Sequence, residues 1–267
     1  MFLLVQICEI IVNLSTIKMP SEMKTNLEFK VIALNALRGH WAKAVLATLL
    51  YILIISAFSG PSVYNSVQMR DQMSSMVRGG SSVFQMASAV STPEFIELQQ
   101  KASRTSSLTT LLEILLLLPL SLGFVNAFKM LLLYGDDNVL SNTFRLGFKH
   151  YWRNVWGMLL MGIFIALWSL LFIIPGIIKA FSYAMTPYIL QDNPELDASE
   201  AIHRSRMMMR GHKFDLFWLY LGFLGWFILC LLTAGIGLLW LTPYVETAKA
   251  AFYQEVKADY ALNGGLY

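Results

Sequence analysis

Histidine and cysteine side chains are the first candidates for chemistry in this sequence, and their spacing indicates no reactive or metal-binding centre. No two histidines stand three or four residues apart, the spacing at which one helix presents two ligands to a metal ion. Two cysteines, Cys8 and Cys230, are too few for a four-ligand zinc site. The sequence contains no HExxH, GxSxG or phosphate-loop motif. We therefore expect no catalytic residue, no metal and no cofactor.

Carboxylates inside apolar runs are the remaining candidates, for proton or cation transfer. Glu113 lies five residues into one run, and a carboxylate in hydrocarbon is costly enough to suggest a functional site. Because it is so near the end of the run, it can also reach the membrane interface, and we favour this structural role. Glu246 and Lys249, one helical turn apart, are expected to form an interfacial ion pair near the end of the last run.

The composition that surrounds these residues is that of an integral membrane protein. Of the 267 residues 56% are hydrophobic and only 14% are charged, against roughly 25% charged in soluble domains. The apolar residues also come in runs of about 18 or more, which is long enough to cross a bilayer. The net charge of +3 requires no nucleic-acid partner, because the basic residues cluster at the ends of apolar runs.

An internal repeat organises the chain into an amphipathic helix, a basic junction, a span, a break and a returning span. The junctions Arg38-Gly39-His40-Trp41 and Arg210-Gly211-His212-Lys213 match closely, and Lys149-His150-Tyr151-Trp152 occupies the same place. The returning spans share Thr186-Pro187-Tyr188 and Thr242-Pro243-Tyr244. The fold class is therefore all-α, a polytopic protein of about six spans in three parallel hairpin-like repeats with amphipathic interfacial connector helices.

Local signals predict where the elements begin and end. Thr25-x-x-Glu28 has the form of a capping box and Asp197-x-x-Glu200 that of a helix cap, so each starts an amphipathic helix. Helix breaks are predicted at Ser59-Gly60-Pro61, at Pro175-Gly176, and at Gly235 and Gly237. The predicted spans are Ala44–Phe58, Leu108–Leu133, the two arms of Lys149–Leu190, Phe214–Leu232 and Leu238–Phe252.

Charge distribution decides between two topologies. If the last two breaks are only kinks, there are four spans, and the 20 lysines and arginines divide 11 to 9 between the two sides. If both are tight turns, there are six spans, and the division is 15 to 5, with Lys179 among the five outside. The positive-inside rule favours six spans in the plasma membrane with both termini in the cytoplasm. Broken helices also mark substrate sites in transporters, but we favour simple turns here.

The basic and aromatic residues of the junctions and of the third amphipathic helix are predicted to bind anionic headgroups on the cytoplasmic side. They are Arg38, His40, Trp41, Lys149, His150, Trp152, Arg204, Arg206, Arg210, His212 and Lys213.

A family resemblance rests on two stretches, ALNALRGHWAKAVLATLL at 33–50 and the block from Trp168 to Tyr253. Over residues 28–254 the chain resembles the bacterial membrane family catalogued as domain of unknown function 975. The resemblance implies a polytopic membrane protein and brings no catalytic residues. We expect one membrane domain at 23–258 with an extracytoplasmic insertion at 62–107. Residues 1–22 are read as an over-long start or an interfacial segment, and 259–267 as a tail.

These observations favour a non-enzymatic membrane protein that organises lipids or binds a partner through its basic cytoplasmic face. The partners expected are anionic lipids, together with a membrane protein or a second copy of the chain. A transporter or permease-like subunit that uses the helix breaks is the alternative, and a lipid-modifying membrane enzyme is the second alternative.

Overall fold

The computed structural model describes residues 23–78 and 93–262, and every regular element within them is an α-helix. Residues 1–22 and the segment between the second and third helices lie outside the described part. The helices are α1 (Asn26–Leu37), α2 (Trp41–Arg78), α3 (Pro93–Tyr134), α4 (Val139–Phe148), α5 (Tyr151–Leu171), α6 (Ile173–Tyr183), α7 (Thr186–Asp192), α8 (Ala198–Met208), α9 (Lys213–Leu221), α10 (Leu224–Leu232) and α11 (Leu238–Leu262).

Both predicted caps are confirmed. The backbone N–H of Glu28 donates to the Thr25 hydroxyl at 3.4 Å, and the Glu28 carboxylate accepts from the Thr25 backbone N–H at 2.6 Å. At the start of α8 the Asp197 carboxylate accepts from the Glu200 backbone N–H at 2.7 Å. These bonds satisfy donors that a helix start leaves free, and so fix where α1 and α8 begin.

The break predicted at Ser59-Gly60-Pro61 is wrong. Helix α2 continues through these residues to Arg78, and α3 already begins at Pro93, so most of the predicted 62–107 connection is helical. Gly and Pro cost about 1 and 3 kcal/mol in a helix interior. The apolar run before them and the helix-forming residues after them offset that cost.

The first of the two corners that decide the topology turns the chain back. Phe172 is extended (φ −158°, ψ 144°) between α5 and α6. Pro175 is the third residue of α6 rather than the break itself, because its missing N–H and fixed φ suit a first helical turn. The two arms run antiparallel: a Cβ on Gly176 would lie 2.2 Å from the Ser169 hydroxyl, and the Phe164 and Tyr183 rings are 6.3 Å apart.

The second corner is a left-handed turn at Ala234 (φ 52°) and Gly235 (φ 86°). Beyond it α11 returns along α10 and α9. A Cβ on Gly237 would lie 2.6 Å from the Cys230 sulfur, and the Phe223 and Tyr244 rings meet edge to face at 4.9 Å. The chain therefore forms two helical hairpins, and the interpretation of both breaks as turns is confirmed.

Apolar residues cover the tips of both hairpins and remain exposed. Leu170 and Ile173 are 86% and 76% exposed at the first tip, and Leu232 is 80% exposed at the second. Exposed apolar side chains of this kind indicate contact with a membrane or with another protein.

Four helical segments within the described residues are long and apolar enough to cross a membrane, which indicates a membrane protein. The bent pair α1 and the first part of α2, with 97° between them, would make a fifth. Six were predicted; the missing one is α11, whose charged residues lower its hydropathy although much of its surface is buried against neighbouring helices. The four segments are Ile114–Tyr134, Tyr151–Leu171, Ile173–Asp192 and Lys213–Leu232.

Each amphipathic connector helix packs on a returning arm. Phe29 of α1 meets Phe252 of α11 with ring centroids 5.5 Å apart. In α8 the buried Ser205 hydroxyl donates to the Ser182 carbonyl at 3.0 Å and accepts from the Met185 N–H at 3.2 Å. The connectors therefore have one face on protein, rather than lying free at the interface as the sequence suggested.

Helices α3 and α4 pack so closely that their backbones are in contact at two glycines. A Cβ on Gly123 would lie 1.9 Å from the Thr143 carbonyl oxygen, and a Cβ on Gly147 would lie 2.4 Å from the Pro119 carbonyl oxygen. Because these neighbours are backbone atoms, no side-chain movement could make room for even a methyl group.

The three basic junctions share one backbone geometry. Gly39 (φ 86°), His150 (φ 55°) and Gly211 (φ 84°) each occupy the left-handed region between a connector helix and the next apolar helix. At the second junction His150 therefore takes the place that glycine has in the other two. Tyr151 takes the place that histidine has in them.

Replacing Gly123 with Ala should lower the free energy of unfolding by about 1–3 kcal/mol, because the added methyl overpacks the α3–α4 contact. Gly162→Ala in α5 is the matched control, since no atom outside its own helix lies within 4 Å of the new methyl. Denaturation in detergent micelles, followed by tryptophan fluorescence, measures both. Equal stability of the two variants would contradict this packing.

Candidate functional site

The eleven predicted interface residues do not form one patch. Some pair with aspartates at the junctions, some are exposed, and some line separate pockets on the two sides of α8. Arg38 ends α1 and is exposed, as are Lys149, His150 and Arg210.

The first junction is held by an aspartate. Asp137 follows α3, and its Oδ2 is 3.2 Å from the His40 Nδ1 and accepts from the Lys43 ammonium at 2.6 Å. The hydrogen bond from Lys43 holds the pKa of the Asp137 carboxyl below its ordinary value. His40 therefore connects two parts of the chain.

The third junction is similar. The His212 Nδ1 is 3.4 Å from Asp215, and its Nε2 is 3.2 Å from Asp259 near the end of α11. His212 thus joins the start of one hairpin arm to the end of the other.

The second junction carries exposed aromatic residues instead. The rings of Phe144, Phe148 and Tyr151 stack in sequence, and Trp152, 75% exposed, meets Tyr151 edge to face. Trp41 contributes to a different feature, an apolar cavity of about 440 Å³ that Trp226 and Trp240 also line.

A basic pocket of about 550 Å³ lies between α5, α6 and α8. Lys179 lies over the Trp168 ring, with its Nζ 4.4 Å from the ring centroid. Arg206 and Lys213 are close enough to repel the Lys179 ammonium. The pocket is lined by Phe164, Trp168, Lys179, Tyr183, Ser199, Glu200, Ile202, His203 and Arg206.

Lys179 was predicted to lie on the side of the membrane opposite to Arg206 and Lys213. It lies beside Arg206 and Lys213, both predicted to be cytoplasmic. The reason is that α8 packs on α6 and α7 and brings its basic residues to the first hairpin, which the hydropathy of α6 could not reveal.

The chemistry of the basic pocket is that of anion binding. Two permanent cations, Lys179 and Arg206, face one carboxylate, Glu200. The Arg206 Nε is buried and finds no acceptor among the described residues. Aromatic walls beside the cations suit a ligand with one charged and one apolar end.

A charged cluster centred on Asp192 was missed by the sequence analysis. The Asp192 Oδ1 pairs with the buried Lys129 ammonium of α3. Its Oδ2 accepts from the Tyr253 hydroxyl at 2.9 Å and from the Lys257 ammonium at 2.6 Å, both on α11. Lys129, a cation five residues before the end of an apolar helix, was the signal that could have indicated it.

Arg153 also forms hydrogen bonds within the fold. Its guanidinium donates to the carbonyls of Leu190, Asn193 (2.9 Å) and Leu196 (3.1 Å). It thus caps the end of α7, whose last carbonyls have no partner within the helix.

The Glu246–Lys249 pair is confirmed, with an Nζ to Oε2 distance of 2.7 Å. The pair lies near the middle of α11, where Tyr188 and Tyr220 are close enough to interact electrostatically with Lys249. Glu113 falls in the part of α3 whose side chains lie outside the described residues.

The second corner offers no free backbone N–H groups. The Gly235 N–H donates to the Cys230 carbonyl at 2.9 Å, and the Gly237 N–H donates to the Thr233 hydroxyl at 3.2 Å. No group of three or more potential metal ligands occurs among the described residues.

Replacing Asp192 with Asn should lower the free energy of unfolding by about 3–5 kcal/mol, because Lys129 is left buried without its counter-charge. The double variant Asp192→Asn with Lys129→Gln should recover part of that loss. Chemical denaturation in micelles measures both variants. A double variant less stable than Asp192→Asn alone would show that the buried pair is not the cause.

Lowering the pH should remove the contribution of the first junction to the free energy of unfolding. Because the pKa of Asp137 is lowered by folding, its contribution to stability is present above the ordinary aspartate pKa and is lost as the pH falls through the lowered value. Asp137→Asn should therefore destabilise the protein at pH 7 and make little difference once the pH is below that value. Thermal unfolding of both proteins across the acid range tests this, and a difference that persists in acid would contradict it.

Comparison with known proteins identifies one relationship. Neither a curated protein nor a solved structure matches the chain. The family model described as protein of unknown function (DUF975) matches residues 23–260, and this confirms the resemblance seen in the sequence. The chain, with its helical hairpins and connector helices, belongs to the DUF975 family.

Proposed function

We propose that this protein is a non-enzymatic membrane protein that binds anionic lipids in its basic pocket and thereby organises lipids around its hairpins. The observation that carries the proposal is the position of Lys179. Its ammonium lies within an apolar helix that can span a membrane, on an aromatic ring and beside Arg206.

A lipid phosphate has the chemistry that such a site requires. Arginine binds phosphate oxygens through its planar fork, and lysine adds a compact point charge. The same hairpin exposes apolar side chains at its tip, so acyl chains could lie along α5 and α6 while the headgroup occupies the basic pocket.

The arrangement in the membrane follows as part of this proposal. Six arms in three repeats, in the plasma membrane with both termini cytoplasmic, are supported by the matching left-handed junctions at Gly39, His150 and Gly211. If Lys179 lies on the cytoplasmic side with Arg206 and Lys213, the excess of lysine and arginine on that side becomes larger, which favours this orientation further.

A transporter is the second candidate, and the Glu246–Lys249 pair favours it. A groove of about 360 Å³ lies between α9, α10 and α11. Glu246 is part of its lining, which is otherwise mostly apolar. Ionisable residues within a membrane bundle often mark an ion or substrate path. If this candidate holds, Glu246→Gln should abolish transport and leave lipid retention unchanged.

Replacing Arg206 with Gln should reduce retention of anionic lipid about fivefold, since a basic residue near an anionic surface contributes about 1 kcal/mol. Adding Lys179→Gln should reduce it further, whereas Glu200→Gln should increase it because it removes the one carboxylate of the pocket. Native mass spectrometry of protein released from nanodiscs of phosphatidylcholine and phosphatidylglycerol counts the bound lipids.

Arg204→Gln is the matched control, because Arg204 lies on the same helix but does not line the basic pocket. Unchanged retention in the Arg206 variant, or an equal loss in the Arg204 variant, would refute the basic pocket as the lipid site.

A further inference from the structure

We propose that a second pocket, on the other side of α8, binds a phosphate group, either inorganic phosphate or a phosphate monoester. This phosphate pocket has a volume of about 410 Å³ and lies between the end of α7, α8 and α11. Its polar lining consists of Asn193, Arg204, Tyr253, Lys257 and Tyr260. It shares no residue with the basic pocket, so the inference does not depend on the proposed lipid function.

The charges beside the phosphate pocket are unbalanced. Lys129 and Lys257 both donate to the Asp192 carboxylate, which also accepts from the Tyr253 hydroxyl. Arg204 is a third cation, and the partner the structure gives it is the neutral amide oxygen of Asn193, at 3.3 Å. One carboxylate therefore serves three cations, and an anion in the pocket would complete the charge balance.

The geometry of the donors suits a tetrahedral oxyanion. The Arg204 guanidinium has five N–H donors, and only one is directed at Asn193. Lys257 has three donors, of which one binds Asp192, and its side chain is about half exposed and so accessible. Tyr260 adds a hydroxyl at the same pocket. Charge-assisted bonds from arginine and lysine to phosphate are among the stronger hydrogen bonds in proteins.

The volume and the remaining lining limit the size of the ligand. A cavity of about 410 Å³ is near the lower end of the range for small-molecule sites. Ile189, Met208 and Ala261 supply apolar surface beside the cations. The pocket therefore suits phosphate itself, a small phosphate monoester, or the exposed headgroup of a lipid such as phosphatidic acid.

Binding there would reinforce the contact between three elements. Lys257 and Tyr253 belong to α11, Asn193 follows α7, and Arg204 belongs to α8. Because a ligand that binds only the folded state stabilises it, occupancy should raise the midpoint of thermal unfolding.

The experiment uses the full chain in a zwitterionic detergent. Inorganic phosphate and glycerol phosphate are titrated at constant ionic strength against chloride, and the unfolding midpoint is followed by tryptophan fluorescence. A saturable rise is expected, and Arg204→Gln should weaken the apparent affinity about tenfold or more, as for loss of a hydrogen bond to a charged group. Arg70→Gln, which removes an exposed arginine that lines neither pocket, should leave the phosphate affinity unchanged.

A second set of measurements distinguishes a lipid phosphate from a soluble phosphate as the ligand. Nanodiscs of phosphatidylcholine with and without phosphatidic acid are compared, again with the Arg204 and Arg70 variants. A rise in the unfolding midpoint that depends on Arg204 supports the phosphate pocket. The probe that produces this rise shows whether the ligand is soluble or a lipid. No rise with any probe, or equal losses in the two variants, would overturn the proposal. Because the lipid test of the basic pocket depends on Arg206, the two proposals can fail separately.

Discussion

A single carboxylate, that of Asp192, determines how the ends of the returning arms meet. It accepts from Lys129 on α3, and from Tyr253 and Lys257 on α11, so three chain segments far apart in sequence are fixed at one point. Among helices that are apolar enough to cross a membrane, burial of apolar surface gives little preference for one arrangement over another. Charged hydrogen bonds have distance and direction, and here they specify which arms converge.

The cations of the chain divide into two classes once their partners are known. Lys129 donates to a carboxylate and Arg153 donates to three carbonyls at a helix end, so both stabilise the fold. Lys179, Arg204 and Arg206 retain donors and line pockets. The two pockets that they line lie on different sides of α8. Its position depends on the buried hydroxyl of Ser205.

The sequence could predict much of the local structure because its signals act over a few residues. The caps at Thr25 and Asp197, the turns beside Pro175 and at Gly235, and the ion pair of Glu246 with Lys249 all follow from short-range chemistry. The junctions that match in sequence also share a backbone geometry in the structure, where His150 takes the place of a glycine. Where such a signal failed, at Ser59-Gly60-Pro61, the helix-forming residues on both sides were stronger.

By itself, then, the sequence determined that the chain is helical, apolar enough for a membrane, and folded back at two corners. Only the tertiary structure decided which charges meet. Lys179 joins Arg206 because α8 packs on the first hairpin, and Asp192 meets Lys129 because α3, α7 and α11 converge. Hydropathy and charge counts describe each helix separately, whereas a pocket is formed by side chains from several helices. Partners separated by 60 residues or more leave no local pattern by which they could be recognised.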